Sequence, residues 1–269
     1  MDLLDHDVFG SDEQRAMQRR AWHLWTLLGH LRDVNCYGRS VGLTGNTMDC
    51  LDRQISLARI QGVAPAECVP PEMAETRIAA LTAAGLGIDL NNRWCGGTDA
   101  IEACRAHLAH ARLPDDLTVT EIDTTTPHKE IVRLDTFAQA SGVLLPIRPF
   151  LCGEAMPAVC LVATDKDGEI VGCTSAIGIY SADSPMGHTF FWGMLATDPA
   201  RRGQGIAMTL GAMSLTKMVD RHGLRVARTG VRPGNTASEK LCTKLGLRQS
   251  EVIVTAIDPS VFAADRITK

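Results

Sequence analysis

The chain reads LATDPARRGQGIA over residues 195–207, a stretch that carries an apolar strand through a glycine-rich turn into a helix. The first N–H groups of a helix have no partner within it, and the helix dipole adds about half a positive charge there. Gly203 and Gly205 lack the side chains that would keep a ligand away from these N–H groups, and Arg201 and Arg202 add positive charge. The stretch therefore predicts a binding site for a phosphate group.

The spacing of the glycines weakens two common nucleotide-binding interpretations. A Walker loop requires Lys followed by Ser or Thr after its last glycine, whereas Gly205 is followed by Ile206 and Ala207. A dinucleotide-binding turn requires a third glycine, and Met208 stands in its place. ATP and NAD are therefore poor candidates.

A second pattern lies one helix and one strand further along the chain. It begins at Asn235, 28 residues after Ala207, and continues through Ser238, Leu241, Cys242, Lys244, Gly246 and Leu247. Together the two patterns resemble the GNAT superfamily of acetyl-CoA-dependent N-acetyltransferases. The first family signature has Gln or Arg, a Gly three residues later, and a Gly or Ala two residues after that, as at Arg202, Gly205 and Ala207.

The resemblance implies an α/β fold of the α+β type, with a mixed, mostly antiparallel GNAT-like sheet flanked by helices, over residues 117–269. Hydrophobic patterning agrees with this expectation. The predicted strands are 117–123, 158–164, 169–180, 188–197, 224–231 and 251–257, and the predicted helices are 127–142, 204–222 and 235–245.

Residues 1–116 lie outside the resemblance and are predicted to form a helical region of unknown role. Helices are expected after Ser11, over 48–60 with Thr47 as N-cap, from Pro70-Pro71 to Gly85, and over 98–112. The formal charge is −5 over residues 1–116 and +1 over 117–269, which places the boundary at Leu113–Asp116. No internal repeat is visible.

The resemblance also implies where acetyl-CoA binds as co-substrate. The pantetheine arm is expected along the end of the strand, and the pyrophosphate at the turn. The cofactor-binding residues implied are Leu195, Ala196, Thr197, Arg202, Gly203, Gln204, Gly205, Ile206, Ala207 and Asn235. Asn235 is also suited to cap the following helix. No metal is expected.

Two departures from the family concern catalysis. Cys242 stands where the family has a tyrosine that protonates the leaving thiolate, so its thiol is either a proton donor or a small apolar side chain. The strand 188–197 carries no acid, and its one titratable side chain is His188, which is either a general base or a loop residue. Glu154 and Asp183 are further candidates for attracting a cationic amine.

Composition indicates an ordinary globular protein, with 45% hydrophobic residues, 22% charged residues and a net charge of −4. No signal peptide or membrane span is apparent, and the nine cysteines form no C-x-x-C pair, so a cytoplasmic location is expected. His107 and His110 are predicted to be surface residues, and Phe190-Phe191-Trp192 to be core. Neither nucleic acid nor membrane is an expected partner, and a homodimer is left open.

The sequence thus predicts an N-acetyltransferase that acts on a primary amine of a small molecule or peptide, by direct transfer in a ternary complex. The alternative is a non-catalytic acyl-CoA-binding or sensor module. The acidic N-terminal region favours a cationic acceptor through long-range attraction.

Overall fold

The computed structural model describes residues 3–45 and 48–267. Over these residues the helices are α1 (Asp12–Leu28), α2 (Met48–Gln61), α3 (Pro71–Ala83), α4 (Thr98–His110), α5 (His128–Ala140), α6 (Arg148–Leu151), α7 (Ile206–His222) and α8 (Thr236–Lys244). The strands are β1 (Val34–Cys36), β2 (Val41–Leu43), β3 (Val63–Val69), β4 (Gly87–Gly96), β5 (Thr118–Ile122), β6 (Ala158–Thr164), β7 (Ile170–Gly178), β8 (Thr189–Thr197), β9 (Val226–Val231) and β10 (Arg248–Ile257). None of the helices in this described part is long and apolar enough to cross a membrane.

The predicted GNAT-like architecture of residues 117–269 is confirmed, since each predicted strand and helix is present there. Local sequence signals account for the element ends. The Asn235 side chain accepts a hydrogen bond from the Ser238 N–H at 3.3 Å and so caps α8. Gly223 adopts a φ of 68° and ends α7, a backbone conformation that glycine adopts without steric cost.

The N-terminal region contains the four predicted helices and also four strands, β1 to β4, that the sequence analysis did not foresee. Ser11 caps α1 as expected, accepting a hydrogen bond from the Gln14 N–H. Thr47, the predicted N-cap of α2, lies outside the described residues. A region expected to be helical is therefore part of the sheet.

All ten strands described belong to one sheet, in the order β1-β2-β3-β10-β4-β9-β8-β7-β6-β5. The pairs β2–β3 and β8–β9 are parallel, and the other neighbours are antiparallel. The final strand, β10, lies between two strands of the N-terminal region, so that Val254 is opposite Ala66 on one side and Leu90 on the other. The expected boundary at Leu113–Asp116 thus does not coincide with a break in the sheet.

The order of elements repeats along the chain although the sequence shows no repeat. The run β2-α2-β3-α3-β4 has the same order as β8-α7-β9-α8-β10, and each begins with a parallel pair of strands. The last strands of the two runs, β4 and β10, lie side by side, and each is also paired with the other run's middle strand. The two runs therefore exchange their final strands.

Helix α7 packs closely on the sheet and so fixes the turn that precedes it. A Cβ atom on Gly211 would lie 2.8 Å from Cζ2 of Trp192 on β8, so a glycine is required at this contact. Leu210 and Leu215 of α7 are fully buried in a core that includes Ile101 and Cys104 of α4. An N-terminal helix thus supports the helix behind the predicted phosphate site.

Candidate functional site

Strands β8 and β9 separate along their length and open a cleft in the sheet. They pair only from Thr189 to Phe191, opposite Val226 to Arg228. Strand β8 continues to Thr197 and β9 to Val231. The backbone of β8 beyond Phe191 therefore has no strand beside it on the β9 side, which leaves an edge that an extended ligand can join.

A β-bulge redirects β8 at the point where the cleft opens. The pairing of β7 with β8 shifts in register between Cys173–Ala196 and Ser175–Gly193. Within the shift, Met194 adopts a φ of 51°, a left-handed conformation that is uncommon for a residue with a side chain. Such bulges bend a strand and re-aim the residues that follow. In β8 the residues that follow the bulge are Leu195, Ala196 and Thr197, the predicted contacts of the pantetheine arm.

The glycine-rich turn forms an open cradle in front of α7. Gly203 and Gly205 have φ values of 80° and 78°, and a Cβ atom on either would meet no other atom within 4 Å. The space in front of both glycines is therefore open. Gly205 is also the N-cap residue of the 17-residue helix α7, whose first turn carries no acidic side chain. The cradle has the properties that favour a phosphate.

A cavity of about 730 Å³ extends from this cradle to the bulge. Eight of the predicted coenzyme-binding residues line it, namely Leu195, Ala196, Thr197, Arg202, Gly203, Gly205, Ile206 and Ala207. The two others lie beside it: the Gln204 Oε1 atom accepts a hydrogen bond from Arg201, and Asn235 lines the neighbouring cavity. We call this space the coenzyme cavity.

The coenzyme cavity carries more positive charge than the sequence analysis assigned. Arg201 is paired with Asp116 through two hydrogen bonds of 2.9 and 3.0 Å, so its charge is compensated. Arg202, Lys240 and Lys244 line the cavity and form no ion pair within the described residues. The two lysines lie four residues apart on one face of α8. Lys244 belongs to the second sequence pattern quoted above, whereas Lys240 does not.

A second cavity, of about 360 Å³, adjoins the first, and we call it the acceptor cavity. Its walls come from both parts of the chain: the β1–β2 turn, β3 and β4 on one side, and β8, β9, α8 and β10 on the other. Four residues line both cavities: Ser141, Leu195, Ser238 and Leu241. The two spaces therefore meet beside the bulge of β8.

Two charged side chains line the acceptor cavity within the described residues, Arg39 and Asp89. The Asp89 carboxylate is paired with Arg232 at 3.4 Å and lies near the Asn91 side-chain amide. The Arg39 guanidinium donates to the Leu144 carbonyl at 3.3 Å and lies 5.8 Å from the centre of the Phe191 ring. Neither residue carries a recognisable sequence motif, and only the fold brings them together.

Beneath the acceptor cavity lies a fully buried ion pair between Arg228 of β9 and Glu67 of β3. Arg228 also donates to the hydroxyl oxygens of Tyr180 at 2.6 Å and Tyr37 at 2.8 Å. Burial raises the pKa of the Glu67 carboxyl, and the adjacent Arg228 opposes that rise. The network fixes Tyr37, which packs edge-on against Phe191 at the cavity wall.

Of the predicted candidates for catalysis and for attracting the amine, one lies at a cavity wall and three lie on the surface away from both cavities. Cys242 lines the acceptor cavity at 2% exposure, and burial raises the pKa of its thiol to about 12. His188 is exposed, as are Glu154 and Asp183, and none of the three lines either cavity.

Two further predictions concern aromatic and histidine side chains. The aromatic run is buried as predicted, with Phe191 and Trp192 also facing the acceptor cavity. His107, expected on the surface, lines the coenzyme cavity, and its Nε2 atom lies 3.1 Å from the Thr209 hydroxyl.

Comparison with known proteins identifies the fold. Residues 132–247 match the model of the Acetyltransferase (GNAT) family. A GCN5-related N-acetyltransferase from Kribbella flavida superposes with a TM-score of 0.51 at 14% identity, covering 73% of this chain and 68% of that protein. A tandem GNAT protein from the clavulanic acid biosynthesis pathway gives a TM-score of 0.52 at 16% identity, covering 76% and 66%. A search of curated proteins finds no match.

Proposed function

We propose, from the premise that residues 132–247 form a GNAT acetyltransferase domain, that this protein transfers an acetyl group from acetyl-CoA to a primary amine. The observation that carries the proposal is the junction of two cavities at the bulge of β8. One cavity suits an extended, phosphorylated coenzyme, and the other suits a small acceptor. A ternary complex would bring thioester and amine together at that junction, which is the arrangement that direct transfer requires.

The coenzyme half of the proposal follows from backbone and charge. A pantetheine arm has two amide groups and would extend β8 as an added strand along Leu195–Thr197. The pyrophosphate would accept hydrogen bonds from the N–H groups at Gly205 and the first turn of α7. Arg202, Lys240 and Lys244 supply positive charge that the coenzyme phosphates would balance.

The proposed reaction needs little chemistry from side chains. The lone pair of a neutral amine attacks the thioester carbonyl, the C–N bond forms, and the C–S bond then breaks as the thiolate leaves. The negative charge on the carbonyl oxygen would be stabilised by a backbone N–H near Ala196 or Thr197, at the end of β8 that follows the bulge. The amine loses its surplus proton to solvent or to a cavity side chain.

The test is a panel of primary amines incubated with acetyl-CoA, with released thiol and product mass both recorded. Acetylated product formed at a rate proportional to enzyme supports the proposal. Coenzyme binding measured by calorimetry, with no thiol release across amino acids, polyamines, aminoglycosides and peptides, would contradict it. That result would favour the acyl-CoA-binding alternative, which is motivated by Cys242 at the tyrosine position and by the absence of an acid on β8.

A further inference from the structure

The charges within the acceptor cavity are not balanced. The single carboxylate among the described residues that line it, Asp89, is paired with Arg232. The single guanidinium, Arg39, has no carboxylate within ion-pair distance among those residues, and its hydrogen bond goes to a neutral carbonyl. The cavity therefore presents one uncompensated positive charge, whereas the acidic N-terminal sequence had favoured a cationic acceptor.

Arg39 is held in place by a tightly packed turn rather than by a flexible loop. The turn joins β1 to β2, with the Tyr37 N–H donating to the Ser40 carbonyl at 3.2 Å. At its centre Gly38 has a φ of 66°, and a Cβ atom there would lie 2.7 Å from Pro146 and 2.8 Å from Phe150. The Ile147 N–H donates to the Gly38 carbonyl at 2.7 Å. The backbone position of Arg39 is thus set by contacts on both sides.

The position of Arg39 carries an energetic cost in the absence of a ligand. Its guanidinium packs against the face of Phe191 and is partly removed from water. Burial lowers the pKa of the Arg39 guanidinium to about 10, so the group remains charged at neutral pH. A cation withdrawn from water without an anionic partner is unfavourable, and a ligand anion would relieve that cost.

We infer that the acceptor bears a carboxylate as well as its amine, and that Arg39 binds this carboxylate while the amine reaches the junction with the coenzyme cavity. The inference rests on the proposed acetyl transfer and names its substrate class. A guanidinium matches a carboxylate through two parallel hydrogen bonds. Arg39 is the one cation in the described lining, so it balances the single charge of a carboxylate but would leave one charge of a dianionic phosphate uncompensated. The volume of about 360 Å³ suits a molecule of amino acid to dipeptide size.

The experiment compares matched acceptors that differ only in the acid group. Each α- or ω-amino acid is paired with its carboxamide, and both are tested with acetyl-CoA for thiol release and with coenzyme A for binding by calorimetry. The variants are Arg39→Gln and Arg39→Lys, and the control is Arg32→Gln, an exposed arginine in the preceding segment that lines neither cavity. Thermal unfolding establishes that each variant is folded.

We expect the wild type to prefer at least one amino acid over its amide by tenfold or more in kcat/KM. Arg39→Gln should raise KM for the acid at least tenfold and leave KM for the amide within about twofold. Arg39→Lys should lie between the two, because it keeps the charge and loses the paired hydrogen bonds. Arg32→Gln should match the wild type.

The outcomes separate this inference from the proposed function. Acetylation of amines without regard to a carboxylate, or an acid preference that survives in Arg39→Gln, would overturn the inference and leave acetyl transfer standing. Amino acids that bind through Arg39 but are never acetylated would support the carboxylate site and contradict the transfer. If Arg39→Gln fails to fold, Arg39→Lys and the acid–amide comparison in the wild type still decide the question.

Discussion

Cys242 is either the proton donor to the leaving thiolate or a small apolar side chain, and the two interpretations predict different effects of its substitution on kcat. Cys242 lines the acceptor cavity, but burial raises the pKa of its thiol to about 12. Proton transfer from such a thiol to a thiolate with an ordinary pKa of about 8.5 is uphill. We therefore expect Cys242→Ala to keep kcat within about twofold and to lose about 1–2 kcal/mol of unfolding free energy, as measured by thiol release and urea denaturation.

Cys104 provides a matched control for this substitution. It is fully buried on α4, burial raises the pKa of its thiol to about 12 as well, and it lines neither cavity. Cys104→Ala should cost similar stability and leave kcat unchanged. A tenfold or larger fall in kcat for Cys242→Ala alone would establish the thiol as the proton donor.

Asp258 links the end of β10 to the N-terminal region. Its side chain is 2% exposed and accepts hydrogen bonds from Arg59 at 2.8 Å and from the Ser260 N–H and hydroxyl. Burial alone would raise the pKa of Asp258, but these bonds outweigh it and the pKa lies below the usual value. The carboxylate therefore stabilises the fold above about pH 4, and this contribution disappears as the pH falls through its lowered pKa.

We accordingly expect Asp258→Asn to lose about 1–3 kcal/mol at pH 7, and the difference from wild type to shrink towards pH 3. Urea denaturation across this pH range measures it. Asp167→Asn, at an exposed turn position, should differ little from the wild type at any pH. A deficit that stayed constant with pH would assign the loss to packing instead.

At the scale of elements, the turn into α7 makes the sharpest prediction. Gly205→Glu places a negative side chain in the open space before the cradle and should weaken coenzyme A binding at least tenfold by calorimetry. The substitution also strains a left-handed backbone position by about 1–2 kcal/mol. Gly168→Glu shares this strain, since Gly168 has a φ of 82° with open space around it, but it lies in the β6–β7 turn. Equal affinity for both variants would refute the phosphate site.

The helices and strands that could be predicted from the sequence are those whose ends are determined by residues close to them in the chain. Asn235, Gly223 and the glycines of the α7 turn act through the backbone within a few residues, so their effect is readable in sequence. Strands β1 and β2 have three residues each, too few for a period of two to appear. Strand β4 contains Gly, Asp and Asn, which are uncommon in strands, and it owes its conformation to pairing with β9 and β10.

The difference between local and long-range signals also explains which parts of the candidate site could be predicted from the sequence. The coenzyme cavity was largely predictable because one continuous turn supplies most of its wall. The acceptor cavity was not, because Arg39, Asp89 and Thr229 are distant in sequence and meet only through the exchanged strands. Arg39 follows a glycine in an otherwise ordinary turn. The residues next to it in the sequence do not distinguish it from a surface arginine.

At the scale of the whole molecule, the placement of β10 makes the two parts of the chain dependent on each other. Residues 117–269 expressed alone would leave β10 without β3 and β4, and β9 without β4. We expect that fragment to be insoluble or to lack cooperative unfolding by circular dichroism. Co-expression with residues 1–116 should restore a soluble complex that binds coenzyme A.

A matched comparison keeps this prediction falsifiable. The full chain cleaved at the exposed β6–β7 turn, near Gly168, should remain assembled because β6 and β7 stay paired with each other. Cooperative unfolding of isolated residues 117–269, with full affinity for coenzyme A, would mean that the N-terminal strands are dispensable.

Because β10 is the last strand of the chain, the sheet can be completed only after nearly the whole chain has been synthesised. Strand β4 is complete at Gly96, yet the partner that separates it from β3 ends at Ile257. A ribosome adding about 5–20 residues per second needs roughly ten to thirty seconds to cover that interval. Throughout it, β3 and β4 have open edges and can pair wrongly with each other or with a neighbouring nascent chain. We therefore expect slow codons introduced after Gly96 to lower the yield of folded protein in a cell.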